Sequence, residues 1–238
     1  TTFVVTYPRI IMAEINTHRM ISKSSASSRA IPVVKQIEKI KSSPFIPSWV
    51  GKAQSGMQAK EELDEEDQLK FKQEWLYMAD QACNTARFFD KIKLHKQIAN
   101  RILEPWGYVT SILTATDWAN FFHLRCHKDA QPEFMALAFK MLEAYVLSVP
   151  LRSDTHIPFG DQMEHGLSLE QKSLVACARC ARVSYENHEG ARDYNKDLEF
   201  ADSLIKAGHM SPFEHVAKAF IHNIYVGNFK GWYQHRKL

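Results

Sequence analysis

The sequence predicts an α+β fold, and three observations lead there. β-branched and aromatic residues crowd both ends, at residues 2–13 and 216–226. Between them apolar residues recur at helical spacing, over residues 61–90 and 131–149. Hydrophobic residues make up 45% and charged residues 24% of a 238-residue chain, the proportions of a globular protein long enough to bury a real core. Helices enclosed by two strand-like ends suggest termini that meet in one sheet, and no composition shift divides residues 1–238 into separate domains.

Taken in order, residues 2–13 read as a strand that is broken, or at a sheet edge, near Pro8. The serines from Ser22 to Ser28 have the look of a low-complexity linker, yet Arg19 and Arg29 flank them, which a spacer does not need. Two prolines and a glycine make residues 43–51 a loop. Leu69, Phe71, Trp75, Met78, Ala82, Ala86 and Phe89 mark one face of a helix over 61–90. A further helix over 94–103 should stop near Pro105. Residues 107–113 suit either a strand or a helix start. Helices follow over 117–125 and 131–149, the latter ended by Pro150. Residues 150–167 are polar and read as a connection. Ser168 and Gln171 form a capping-box pattern that opens another helix. The last helix, 197–207, is closed by Gly208.

Composition excludes some functions. A net charge of +3 is too small to argue for a nucleic-acid binder. No apolar run approaches the roughly 18 residues of a membrane helix. No secretory signal pattern is visible at the N-terminal residues. Four cysteines are too few for a disulfide framework and suit reduced thiols in the cytoplasm.

Four segments can carry chemistry. Thr17-His18-Arg19, with the serines and Arg29 beyond it, sets guanidiniums and hydroxyls around an anion such as a phosphate; a solvated loop is the plain alternative. Gly208–His215 holds two histidines and Glu214, but their spacing across Pro212 does not place them on one helix face, so no metal site is assigned. Asn120–Arg125 ends an aromatic helix in an arginine. That arginine could read a planar ligand edge or simply meet the helix dipole. Cys177 and Cys180 share a helix face without a second CxxC and read as buried core thiols. Cys126 has no activating base in view.

Together these segments resemble the flavin-dependent thymidylate synthases (the ThyX family). That family's signature is Arg-His-Arg, seven residues, Ser, and Arg two further on. Here Thr17-His18-Arg19, Ser27 and Arg29 keep the spacing and lose the first Arg. Ala181–Tyr185 matches its Ala-Arg-Val-Ser-Tyr segment, and Gly208–His215 its Gly-His-x-Ser/Thr-Pro-Phe-Glu-His segment. Asn120–Arg125 with Ala130–Glu133 matches its substrate helix, and Arg101 with Pro105 a further weak motif. The order differs from the family's usual one. The Ser-Tyr and Gly-His segments come last here and run into Gln234-His235-Arg236, a second degraded copy of the signature. At an offset of 217 residues, Phe3–Arg19 lies over Phe220–Arg236 with a shared outline of strand, turn, short helix and His-Arg. The chain is therefore expected to be a circularly permuted relative, with residues 31–92 and 151–170 outside the resemblance.

The resemblance implies a small, mostly antiparallel sheet with surrounding helices, assembled as a homotetramer. It implies that His18, Arg19, Asn120, Ser184, His209, Ser211 and Glu214 hold FAD, with His235 and Arg236 a second pair for the same task. It implies that Ser27, Arg29 and Arg101 bind the nucleotide monophosphate, and that Arg125 pairs with the uracil edge, where it can stabilise charge developing on the ring. Ser27 and Arg125 are the residues expected at the reaction centre, with no protein nucleophile required. The implied reaction moves a one-carbon unit from methylenetetrahydrofolate to C5 of dUMP, with reduced flavin as reductant and NADPH reloading it. Ser24-Ser25 replaces a common Asn-Glu, Thr114 and Thr116 replace Asn and Arg, and the missing first arginine weakens the expected grip on flavin phosphates by about 1–3 kcal/mol per contact. Hydroxymethylation of dUMP or dCMP on the same scaffold, or nucleotide binding without catalysis, are the alternatives.

Overall fold

The computed structural model describes residues 1–163, 166–184 and 193–237. Strand β1 (Thr2–Pro8) leads through a 3-10 turn into the short helix α1 (Met12–Asn16), and β2 (Ser22–Ser25) follows. Helices α2 (Val33–Ser42), α3 (Glu65–Lys91) and α4 (Lys96–Ala99) come next; a 3-10 segment then leads to β3 (Tyr108–Thr114). Helices α5 (Ala119–Arg125) and α6 (Pro132–Leu147), strand β4 (Thr155–His156), and helices α7 (Leu169–Ala181) and α8 (Tyr194–Lys206) complete the middle. The C-terminal part holds a 3-10 turn at Ser211–Glu214 and the short strands β5 (Ala217–Ala219), β6 (Tyr225–Val226), β7 (Phe229–Lys230) and β8 (Trp232–Gln234).

β3 is central in the first sheet, antiparallel to β1 along Thr2↔Thr114 to Pro8↔Tyr108 and to β2 along Ser22↔Thr114 to Ser25↔Ser111. Alternation along the strands gives the sheet two unlike faces. Val5, Tyr7, Val109 and Leu113 pack against Ile11, Ile15, Trp118, Phe121, Phe134 and Met141 from α1, α5, α6 and their approaches. On the opposite face Ile112 meets Cys180 and Val183 at the end of α7. β3 is thus covered on both sides, which is why its run of apolar residues hid the strand period. A separate helical cluster unites α2, α3, α4 and the 3-10 segment around Ile37, Ile40, Cys83, Leu103 and Trp106.

The mixed fold with small antiparallel sheets is as the sequence suggests, but the two ends do not share a sheet. β1 lies in β1-β3-β2, whereas β8 lies in β4-β5-β8, and β6-β7 form a hairpin. The continuous strand expected over 216–226 is broken between β5 and β6, at residues 220–224, and beyond it Gly227 and Gly231, at φ +72 and +71, turn the chain back twice. The serine run is a strand and not a linker. β2 is an edge strand, fixed by β3 and by side-chain bonds from its hydroxyls. The helix expected over 94–103 tightens into 3-10 turns that carry Pro105 and end at Trp106. The connection at 150–167 contains β4. The capping box at Ser168 forms as read, with both reciprocal bonds present. Cys177 and Cys180 are buried and their thiols are pushed up by burial, Cys177 to about 12, as suits core residues.

Candidate functional site

A cleft of about 670 Å³ opens where the β2 edge faces the end of α7, helix α8 and the turn after it. β2 contributes Lys23, Ser24 and Ser25. The far wall contributes Ser184, His209 and Ser211, with Val183, Phe200, Leu204 and Pro212 as apolar surface. Two segments that are 157 residues apart at Ser27 and Ser184 therefore face one another. They are also bonded directly: the Ser27 backbone N–H donates to Ser184 Oγ at 3.0 Å. Tyr185, the last residue of the Ala181–Tyr185 motif, lies outside the described residues.

Lys23 is half-buried, and its Nζ donates to the carbonyls of His18 at 2.6 Å and Ile21 at 2.8 Å. Burial lowers its pKa while nearby Glu214 opposes that shift. Through His18 the cleft is linked to the end of α5. Arg125 Nε donates to His18 Nε2 at 2.8 Å, and its guanidinium lies 4.5 Å above the Phe134 ring. His18 is itself edge-on to Phe121 and Phe134. Burial, then Arg125, then Lys23 hold the His18 imidazole down to about 4, so at neutral pH it is an acceptor for Arg125 and not a second cation. Arg125 makes no ion pair among the described residues, so the remaining edge of its fork is available to a planar partner.

A second polar group gathers on Glu104. Its Oε1 accepts from Ser28 Oγ at 2.7 Å and from Arg101 at 2.9 Å, and Arg9 lies at 3.2 Å. Arg101 is thus already paired with a carboxylate. Ser27 Oγ accepts from the Arg29 backbone N–H at 3.3 Å, and the Arg29 side chain is exposed.

The expected flavin residues do not all converge. Ser184, His209 and Ser211 line the cleft and His18 sits beside it through Lys23. Asn120 lies on the exposed face of α5, and Arg19 is exposed without an ion pair among the described residues. Glu214 is engaged by Arg236. His235 stacks on Phe213, with ring centroids 6.2 Å apart, and burial lowers its pKa. The shared outline of the two ends is not kept either: residues 3–19 form strand, 3-10 turn and short helix, whereas 220–236 form a hairpin and a strand. Cys126 is half-buried and its thiol is raised by burial, the opposite of an activated nucleophile. Residues to which the motif reading gave no role are Lys23, Glu104 and the last histidine of Gly208–His215. That His215 was in the quoted motif; what could not be read was its burial beneath the sheet.

With this geometry in place, the chain can be compared with known proteins. The family model described as thymidylate synthase complementing protein matches residues 1–151. That span contains β2, Arg101 and Arg125 but ends before α7, so one wall of the cleft lies inside it and the other outside. No curated protein matches. Among solved structures, the chain resembles the crystal structure of a UMP/dUMP methylase, PolB from Streptomyces cacaoi, bound with 5-Br UMP. The TM-score is 0.52 at 18% identity, over 61% of this chain and 67% of that one, a likeness of fold.

Proposed function

The chain belongs to the thymidylate synthase complementing protein family, and on that premise we propose that it transfers a one-carbon unit from methylenetetrahydrofolate to C5 of dUMP, giving dTMP, with FAD as its cofactor. The observation that carries the reading is Arg125. A neutral His18 holds its guanidinium by one nitrogen over Phe134 and leaves the other edge of the fork open. A planar fork suits the adjacent carbonyl and imide of uracil, and a fixed cation there stabilises negative charge as it develops on the ring. The structural neighbour, a UMP/dUMP methylase bound with 5-Br UMP, agrees with a pyrimidine nucleotide as ligand.

The residue types in the cleft fit a flavin. Lys23 supplies a half-buried cation for a diphosphate; Ser184, Ser211 and His209 supply hydrogen bonds; Val183, Phe200, Leu204 and Pro212 supply surface for a flat ring. Held there by these residues and reduced by NADPH, such a cofactor would supply the hydride that converts the transferred carbon to a methyl group. Ser27 and Arg29 remain the proposed contacts to the nucleotide phosphate. Arg101 joins them only if the phosphate competes with Glu104 for its guanidinium. Arg19 and Arg29 are both exposed, which is compatible with service to a neighbouring copy in the proposed homotetramer. The permuted order of the motifs remains the proposed origin of the two His-Arg arms.

The test is spectroscopic first. Purified protein is given FAD, then dUMP, and the visible spectrum is followed; a bound-flavin spectrum that shifts with dUMP is expected. Mass spectrometry of the nucleotide after turnover with methylenetetrahydrofolate and NADPH should show the gain of one CH2. A gain of CH2O instead would mean hydroxymethylation, and a protein that takes up no flavin under any loading would overturn the reading.

A further inference from the structure

Behind the cleft runs a continuous line of hydroxyls and imidazoles that the proposed chemistry does not use. Ser24 lines the cleft, and its Oγ lies 2.9 Å from His215 Nε2. His215 is fully buried, and its Nδ1 lies 2.8 Å from Thr114 Oγ1. Thr114 Oγ1 is 2.7 Å from Thr2 Oγ1, which is 2.7 Å from His156 Nε2. The sheet register produces this alignment: Thr2 and Ser22 flank Thr114 in one row, Val4 and Ser24 flank Ile112 in the next, and His215 rests across both rows. Burial holds His215 down to about 3 and, foremost, His156 down to about 4, so both imidazoles are neutral near pH 7.

Each hydroxyl and each neutral imidazole in such a line has one proton to donate along it. The line therefore has one direction at a time. If His215 carries its proton on Nε2, it donates to Ser24, whose own O–H is free to donate into the cleft. If the proton is on Nδ1, Ser24 donates to His215 and offers only lone pairs to the cleft. Either arrangement pairs every group from Ser24 to His156 Nε2, and neither creates a charge, which the burial of His215 would oppose.

We propose that Ser24 is a ligand contact of the cleft and that His215 and Thr114 are positioning residues which set its hydrogen-bond direction. The same hydroxyl can then meet a carbonyl or phosphate oxygen in one setting and an N–H in the other. This deepens the reading of the cleft as a flavin and nucleotide site and rests on it.

The test uses the full chain with FAD and dUMP titrated separately, followed by flavin absorbance and calorimetry. S24A should weaken one of the two by about 3–10-fold, the scale of a neutral hydrogen bond. T114V should produce a loss of the same ligand's affinity, T114S should restore it, and S24A/T114V should be no weaker than S24A alone. With 15N-labelled histidine, His215 should stay neutral from pH 8 to pH 5, and the nitrogen that carries its proton should respond to T114V. Wild-type affinity in T114V, or additive losses in the double variant, would overturn the inference while leaving the cleft reading intact. Failure of the wild-type protein to bind either probe would overturn both.

Discussion

The arms Phe3–Arg19 and Phe220–Arg236 end in the same dipeptide and hold it in opposite ways. In the first, His18 is wedged among Phe121, Phe134 and Arg125, and Arg19 points free of any ion pair among the described residues. In the second, His235 stacks on Phe213 and Arg236 is consumed by Glu214. The residues before each dipeptide differ as well. Thr17 is exposed and its hydroxyl donates to the nearby Glu14 carbonyl, whereas Gln234 is 2% exposed and donates to both Ser22 Oγ and the Glu214 carbonyl. The second arm is therefore a clasp on β2, just beyond the end of the first. The lesson is that a His-Arg pair takes its role from its surroundings: the first leaves its arginine open, as the proposed ligand role requires, and the second ties the protein together.

The sharpest way to break this contrast is to remove one arginine from each side of it. R125A deprives His18 of its partner and should lower dUMP affinity by about 10–100-fold, the range of a charge-assisted hydrogen bond, in calorimetric titration. R236A should leave that affinity within about twofold, a change too small for a direct charge-assisted contact. Equal losses would make the second arm a ligand holder too.

The next largest effect is on stability. Q234A removes a buried donor and leaves Ser22 and Glu214 short of a partner, so urea unfolding should show a loss of about 1–3 kcal/mol. T17A, at the matching exposed position, should stay within about 0.5 kcal/mol.

pH sharpens the comparison further. His18, at about 4 in the fold, is depressed below an unfolded histidine near 6.5. The unfolded chain then binds more protons between those values, so stability is fully present above about pH 6.5 and falls as pH drops toward 4. His156 and His215 act in the same direction. Unfolding midpoints at pH 7 and pH 5 should separate in wild type, and H18Q should narrow the gap. A gap unchanged in H18Q would mean that the other depressed histidines, His156, His215 and His235, supply it in place of His18.

The smallest effect expected is that of R236A on unfolding. Arg236 and Glu214 form a partly exposed pair, of the kind that contributes about 0–1 kcal/mol, and added salt should erase the difference.

The elements with a strong period were legible in the sequence: α3, α6 and the capped α7 lie close to where apolar spacing and Ser168 put them. What escaped was decided by pairing across long distances. The serines of β2 have no strand propensity of their own; β3 makes them a strand. The polar connection hides β4 for the same reason, since its partner β5 is about sixty residues away. Motif spacing singled out Ser184, which lines the cleft, and His18 and Arg125, which are joined to it through Lys23. It could not locate Lys23 or His215, whose importance lies in what burial does to a common residue type. Nor could it reveal that Arg101 is already held by Glu104, because a competing carboxylate three residues on looks like an ordinary helical neighbour.

The clasp has a consequence for how the protein is made. Gln234 reaches back 212 residues to Ser22, and Ser184 reaches back 157 residues to Ser27. On the ribosome, the β2 edge emerges early and must wait for almost all the rest of the polypeptide before its covering wall exists. Contacts of such long separation close late and slow the search for the native state. During translation the nascent chain therefore carries an unroofed sheet edge, the kind of surface that a molecular chaperone recognises. Ribosome-bound chains stalled before residue 184 should be cut by protease near residues 22–29, and released full-length chains should resist.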